Sequence, residues 1–283
     1  MHVIGIHGIW QGNTNAVKLQ ADWAAALAKG LRTHHGPACP IPPLTVAYYG
    51  KLFHTASRRL GPDNTSVPGD SDPFTDQEEQ FVLDTLALYT PPGLDPAHLE
   101  TETLGLGIPY APRSVVKAVV AVERKLGRDM GRRLLGIIRQ VYRYLHHDLG
   151  ERIRTEVQKE LHRDGPRLVI AHSLGSVIAF DMLTRDQIGP GPEGLTTLVT
   201  CGSPLAWLTI RRSLSKNGVL QLPDGIDWIN LHAAGDIVAQ SGLSHVAPAV
   251  RDELVHNGLD AHAARRYLEK QPLADLLAKT SFA

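Results

Sequence analysis

Residues 168–177 read LVIAHSLGSV. Leu168, Val169 and Ile170 make a short unbroken apolar run, which predicts a buried strand at about 167–171. From Leu174 the pattern predicts a helix to about residue 184, with Gly175 and Ser176 close to its start. Ser173 therefore falls in the turn between a strand and a helix, with small residues, Ala171 and Gly175, two positions before and two positions after it. A turn that tight presses the backbone at those two positions against its neighbours. Only small side chains avoid collision, and the Ser hydroxyl is pushed out above the sheet. The following helix aims its first N–H groups and the positive end of its dipole toward the same hydroxyl. The bland alternative is a Ser that only caps a helix; the strand directly before it favours the tighter turn.

Outward from this segment the chain alternates strands and helices. Residues 3–6 (VIGI) predict a strand ending at His7-Gly8, and Leu19, Trp23, Leu27 and Leu31 mark a helix over about 15–33. Further strands are expected at 44–49, 195–201 and 227–232, with helices at 151–163 and within 260–279. This order is that of an α/β protein, a mostly parallel sheet covered by helices on both faces. One long insertion, residues 51–150, interrupts it. Its stretch 60–112 has ten acidic residues and no Lys or Arg, whereas 113–167 has fourteen Lys plus Arg against seven acidic residues. Apolar residues recur every three or four positions from Val115 to Leu145, predicting one long amphipathic helix kinked at Gly127, Gly131 or Gly136. Its basic face would suit an anionic membrane surface or nucleic acid. Because the acidic block adjoins it, the expected role is pairing within the insertion.

The 283 residues carry 29 Lys plus Arg and 29 Asp plus Glu, so net charge is zero with His neutral. That balance argues against a binder of nucleic acid through overall basicity. Hydrophobic residues at 43% argue against disorder. Cys39 and Cys201 permit one disulfide but not a disulfide scaffold, and no metal-binding spacing of the CxxC kind occurs. The start, MHVIGIHG, lacks a basic region and a long apolar run, so no secretory signal is expected. A cytoplasmic location follows as the expectation.

On Ala171-His172-Ser173-Leu174-Gly175 and its flanking strand and helix, the chain resembles the α/β-hydrolase superfamily, nearest its esterase and lipase type. The resemblance covers residues 1–50 and 151–283 and implies an α/β-hydrolase core, with 51–150 as a largely helical cap. Ala171 stands where Gly is commoner, and it keeps the side chain small. Serine is a weak nucleophile at neutral pH and needs a neutral His as base, which a carboxylate in turn orients. Chain order in this superfamily is Ser, acid, His. The resemblance points to Asp236, in LHAAGDIVA just past a strand, as the acid; Asp227 opens that strand at its other end and Asp224 precedes it. His262, in a loop before the C-terminal helix (GLDAHAARRYL), is the expected base, with His256 and His245 as alternatives. The oxyanion would be held by the backbone N–H groups of Leu174 and Ile9, the latter following His7-Gly8, and Trp10 would line the acyl pocket. His172 is expected to point away from the nucleophile and pack, and Ser203 to serve a turn.

The resemblance thus implies a serine hydrolase cleaving a carboxylic ester through an acyl-enzyme, acting on a small acyl ester or related hydrophobic substrate. The same residues also serve thioesterases, lactonases, amidases and acyltransferases, and a hydrolase scaffold can be a non-catalytic interaction protein. Neither a metal nor an organic cofactor is implied, nor a nucleic-acid partner. Membrane association through the basic helix is open but not favoured.

Overall fold

Among the described residues six strands lie in one sheet: β1 (Val3–Ile6), β2 (Leu44–Ala47), β3 (Leu168–His172), β4 (Thr197–Cys201), β5 (Asp227–Ala233) and β6 (Val250–Val255). Their order is β2-β1-β3-β4-β5-β6, and every neighbouring pair is parallel. The computed structural model describes residues 2–9, 14–55, 72–99, 110–161, 168–185, 195–215, 217–239 and 241–281. Ten helices are described: α1 (Ala16–His35), α2 (Lys51–Thr55), α3 (Asp76–Leu86), α4 (Arg113–Leu126), α5 (Met130–His146), α6 (Leu149–Leu161), α7 (Leu174–Thr184), α8 (Leu208–Leu214), α9 (Ala264–Leu268) and α10 (Gln271–Ser281).

The strands that flank the expected nucleophile are apolar and fully buried because both sheet faces are covered. Their side chains alternate between two cores, as the period of two requires. Val3, Leu168 and Ile170 face Trp23, Leu27 and Leu31 of α1 together with Leu273 and Leu277 of α10. Ile4, Ile6, Val169 and Ala171 face the other core, with Val177 of α7. Helices of the insertion belong to this second core: Leu86 of α3, Val119 of α4 and Ile138 of α5 are buried in it, as is Val157 of α6, which follows the insertion. The acidic and basic blocks meet there. The Arg139 guanidinium donates to Glu78 at 2.7 Å with both side chains almost wholly buried, and Arg143 reaches Asp72 at 2.9 Å.

Two sequence expectations change. The single long helix is two, α4 and α5, separated at Gly127, whose φ of +98° leaves the right-handed helical region and whose N–H closes the last turn on Glu123. Apolar periodicity runs through the break because both helices turn their apolar faces to one core. A Cβ at Gly131 would press on the Val119 carbonyl, so its absence lets the two helices approach closely. Gly136 lies inside an unbroken α5. The second change is β6, VRDELV, which lies outside the strand ranges expected above; as an edge strand it keeps charged residues where water reaches them. Cys39 and Cys201 are both free thiols, buried in the core, so the permitted disulfide is not formed.

Candidate active site

Ser173 sits between β3 and α7 at φ +54° and ψ −124°, a conformation that costs a side-chain-bearing residue about 1–3 kcal/mol. The surroundings hold it there. Its N–H donates to the Cys201 carbonyl at 3.0 Å, and its own carbonyl accepts from the Ser176 N–H at 2.9 Å. A Cβ at Gly175 would collide with the Ile6 carbonyl oxygen, and one at Gly8 would stand 2.8 Å from the Ser173 Cβ. The end of β1 is thus packed directly against the turn, and only glycine fits at either contact. The Ser203 hydroxyl lies 2.7 Å from that of Ser176 and accepts the Leu205 N–H, which is the turn role expected of it.

Ser173, His262 and Asp236 come together in space although 89 residues separate the serine from the histidine. The His262 Nε2 is 3.0 Å from the Ser173 Oγ, and its Nδ1 is 2.9 Å from each Asp236 carboxylate oxygen. The carboxylate can only accept, so Nδ1 carries the proton and Nε2 presents its lone pair to the serine hydroxyl. Asp236 follows the end of β5 and is fully buried, whereas the His262 side chain is 22% exposed. Val238 N–H donates to Asp236 Oδ1 at 2.9 Å, and the Tyr267 hydroxyl donates to Oδ2 at 2.6 Å. Burial works against ionisation of Asp236. The hydrogen bond and charge of His262, with the Tyr267 and Val238 donors, outweigh it and hold the carboxyl below its ordinary value. Gly202, at φ +56°, passes so close that a Cβ would lie 2.9 Å from Asp236 Oδ2 and 3.2 Å from His262 Nδ1.

Leu174 opens α7, and its N–H is one of the helix's first four, which have no intrahelical acceptor. Ile9 is buried and follows Gly8 at the same turn. Neither N–H meets an acceptor among the described residues. The His7 beside them is locked: its Nδ1–H donates to the Gly8 carbonyl at 2.6 Å, its Nε2 accepts the Tyr49 N–H, and its ring stacks on Tyr49. Burial holds this imidazole down at about 4, against the hydrogen bond to Gly8 that favours its charged form. His172 packs beside His262, with 4.9 Å between the rings, and its Nε2–H donates to the His262 carbonyl at 2.7 Å. Burial and then the charge of His262 hold it at about 3.

His256 and His245 are both exposed, and neither joins the cluster. Asp227 opens β5 at the end of the sheet opposite the site. Trp10 lies outside the described residues. Two aromatic residues that the sequence did not single out do belong near the site. Tyr267 is the acid's hydroxyl donor. Tyr89, from the insertion, meets Trp207 edge-to-face at 6.3 Å between rings. Burial pushes the Tyr89 hydroxyl up; a hydrogen bond with Trp207 opposes this and the charge of Asp236 adds to it. A separate open cleft of about 1030 Å³, lined by Leu83, Ala87, Leu99, Arg113 and Lys117 among others, touches none of Ser173, Asp236 and His262. Among the described residues no group of three His, Cys, Asp or Glu is placed to hold a metal ion, and no helix is long and apolar enough to cross a membrane. No family model, curated protein or solved structure matches this chain.

Proposed function

We propose that this chain is a serine hydrolase of the α/β-hydrolase type that cleaves a carboxylic ester through an acyl-enzyme. The observation that carries this reading is the continuous hydrogen-bond chain from Ser173 through His262 to Asp236, with the serine held at positive φ in a strand-to-helix turn. In the reaction the Ser173 Oγ attacks the ester carbonyl carbon while His262 Nε2 takes its proton. The carbonyl oxygen becomes an oxyanion, facing the N–H groups of Ile9 and Leu174. His262 returns the proton to the departing alcohol, leaving the acyl group on Ser173. Water then attacks the acyl carbon, gives its proton to His262, and the acid leaves as Ser173 regains a proton. The buried Asp236 carboxylate stabilises the imidazolium in both halves.

The insertion is assigned the part of a cap. Tyr89 in support of this stands against Trp207 within the field of Asp236, bringing an apolar and aromatic wall from the insertion to the site. A hydrophobic acyl ester suits such a wall. The free thiols of Cys39 and Cys201 agree with a reducing compartment, and we place the enzyme in the cytoplasm.

Two measurements test the reading. A fluorophosphonate probe should label the wild type covalently at Ser173, and p-nitrophenyl esters of graded acyl length should be turned over faster than a matched amide. Ser173→Ala should lose turnover by a factor on the order of 10⁶ if the three residues act as one unit. A folded wild type that takes up no probe and releases no nitrophenol overturns the proposal.

A further inference from the structure

Tyr267 lies five residues after His262, on α9, so one short segment carries both the expected base and a second partner of the expected acid. Its side chain is wholly buried, and its hydroxyl donates to Asp236 Oδ2 at 2.6 Å. The carboxylate is fully committed. Oδ1 faces the His262 Nδ1–H and the Val238 N–H, while Oδ2 faces the same Nδ1–H and the Tyr267 hydroxyl. On the remaining side Gly202 closes the space, since even a Cβ there would crowd Oδ2, the Tyr267 ring and the His262 ring. Val238 is only two residues from Asp236, so its N–H moves with the acid. Tyr267 is therefore the donor that ties the acid to the segment bearing the base. Resting on the functional reading above, we infer that Tyr267 is a positioning residue of the hydrolytic site, fixing the Asp236 carboxylate against His262 and moderating how strongly it accepts the His262 proton.

The chemistry has a definite sign. A donor on Oδ2 draws off negative charge that would otherwise face the Nδ1–H. Burial strongly disfavours the phenolate form of Tyr267, and the neighbouring negative charge of Asp236 disfavours it further, so the hydroxyl stays a donor across the working range of pH. Removing it should make Asp236 a stronger acceptor for the imidazole proton while freeing the carboxylate to rotate.

The test is a proton spectrum of the full chain, in which the downfield Nδ1–H resonance of His262 is assigned by its loss in His262→Gln. Tyr267→Phe should move that resonance further downfield. Site-specific replacement of Tyr267 by 3-fluorotyrosine, which keeps the ring shape and strengthens the donor, should move it upfield. The second variant decides the matter if the first fails to fold. On a p-nitrophenyl ester, Tyr267→Phe should lower kcat about tenfold and leave KM unchanged. A resonance that stays in place in folded variants of both kinds overturns the role of Tyr267, because a residue that merely packs would leave it there. The spectrum needs no turnover, so a wild type without Ser173-dependent hydrolysis would overturn the functional reading alone, and the direction of the proton shift would still decide this one.

Discussion

His7 and His172 are both buried near the serine turn, His7 with both ring nitrogens hydrogen-bonded and His172 with its Nε2–H on the His262 carbonyl. Burial lowers both, to about 4 and about 3, below the ordinary 6.5 that they regain on unfolding. Their contribution to stability is therefore complete above pH 6.5. It is lost as pH falls below that value, because the unfolded chain takes up protons that the folded chain refuses. By pH 5 each imidazole should have cost about 2 kcal/mol. Asp236, lowered from 3.8, acts only in more acid solution and does not blur this window. Urea midpoints at pH 7 and pH 5 measure the effect. His172→Gln, which keeps a donor for the His262 carbonyl, should show a smaller drop between the two by about that amount for one imidazole; an equal drop would contradict the assignment. At this scale the Ser173 turn was readable in the sequence, since strand, turn and small neighbours all lie within ten residues. Asp236 and His262 were reachable only through chain order. Tyr267 was not readable at all: nothing in RRYLE marks a tyrosine whose partner lies 31 residues away across the top of a sheet.

Glu78 of α3 and Arg139 of α5 form an ion pair in which both side chains are almost wholly buried, and Arg139 also donates to the Asp72 carbonyl and lies over the Phe74 ring. Two ions withdrawn from water are stable only as a pair. Glu78→Gln, of nearly the same shape, should cost about 3 kcal/mol in chemical denaturation, because it leaves the guanidinium uncompensated. The joint replacement Glu78→Leu with Arg139→Met should cost less than that single change. If Glu78→Gln proves neutral, the pair does not hold α3 on α5. The opposed charge blocks in the sequence announced this contact, but not which residues meet. Helix content was legible for the same reason that the break at Gly127 was not: a repeat of three to four residues reports the buried face, and two helices sharing a core keep one face. VRDELV escaped notice because an edge strand buries too little of itself to show an apolar run.

The insertion helices and one face of the sheet share a single core, with Leu86, Val119 and Ile138 in one cluster with Ile4 and Val169. An insertion that buries its apolar faces in the same core as the sheet should not unfold by itself. Far-UV circular dichroism and tryptophan fluorescence should therefore give coincident urea transitions, the latter sensing Trp23 on one face and Trp207 and Trp228 on the other. A far-UV transition that precedes the main fluorescence transition would show the insertion to be independent. The sequence division at residues 50 and 151 said nothing of which layers pack together, since that depends on contacts between distant segments. The register of β1 on β3 carries this further. Val3 pairs with Leu168 and Ile6 with Ala171, so the middle of the sheet is made from segments 165 residues apart in the chain. Closing so wide a loop is slow, and it yields nothing until the intervening helices have collapsed. The serine turn leans on the carbonyl of Ile6, at the end of that late-joining strand. If the proposed function holds, a chain in which β1 has not yet joined β3 would hold Ser173 as an ordinary alcohol, and reactivity would arrive only with that long-range pairing.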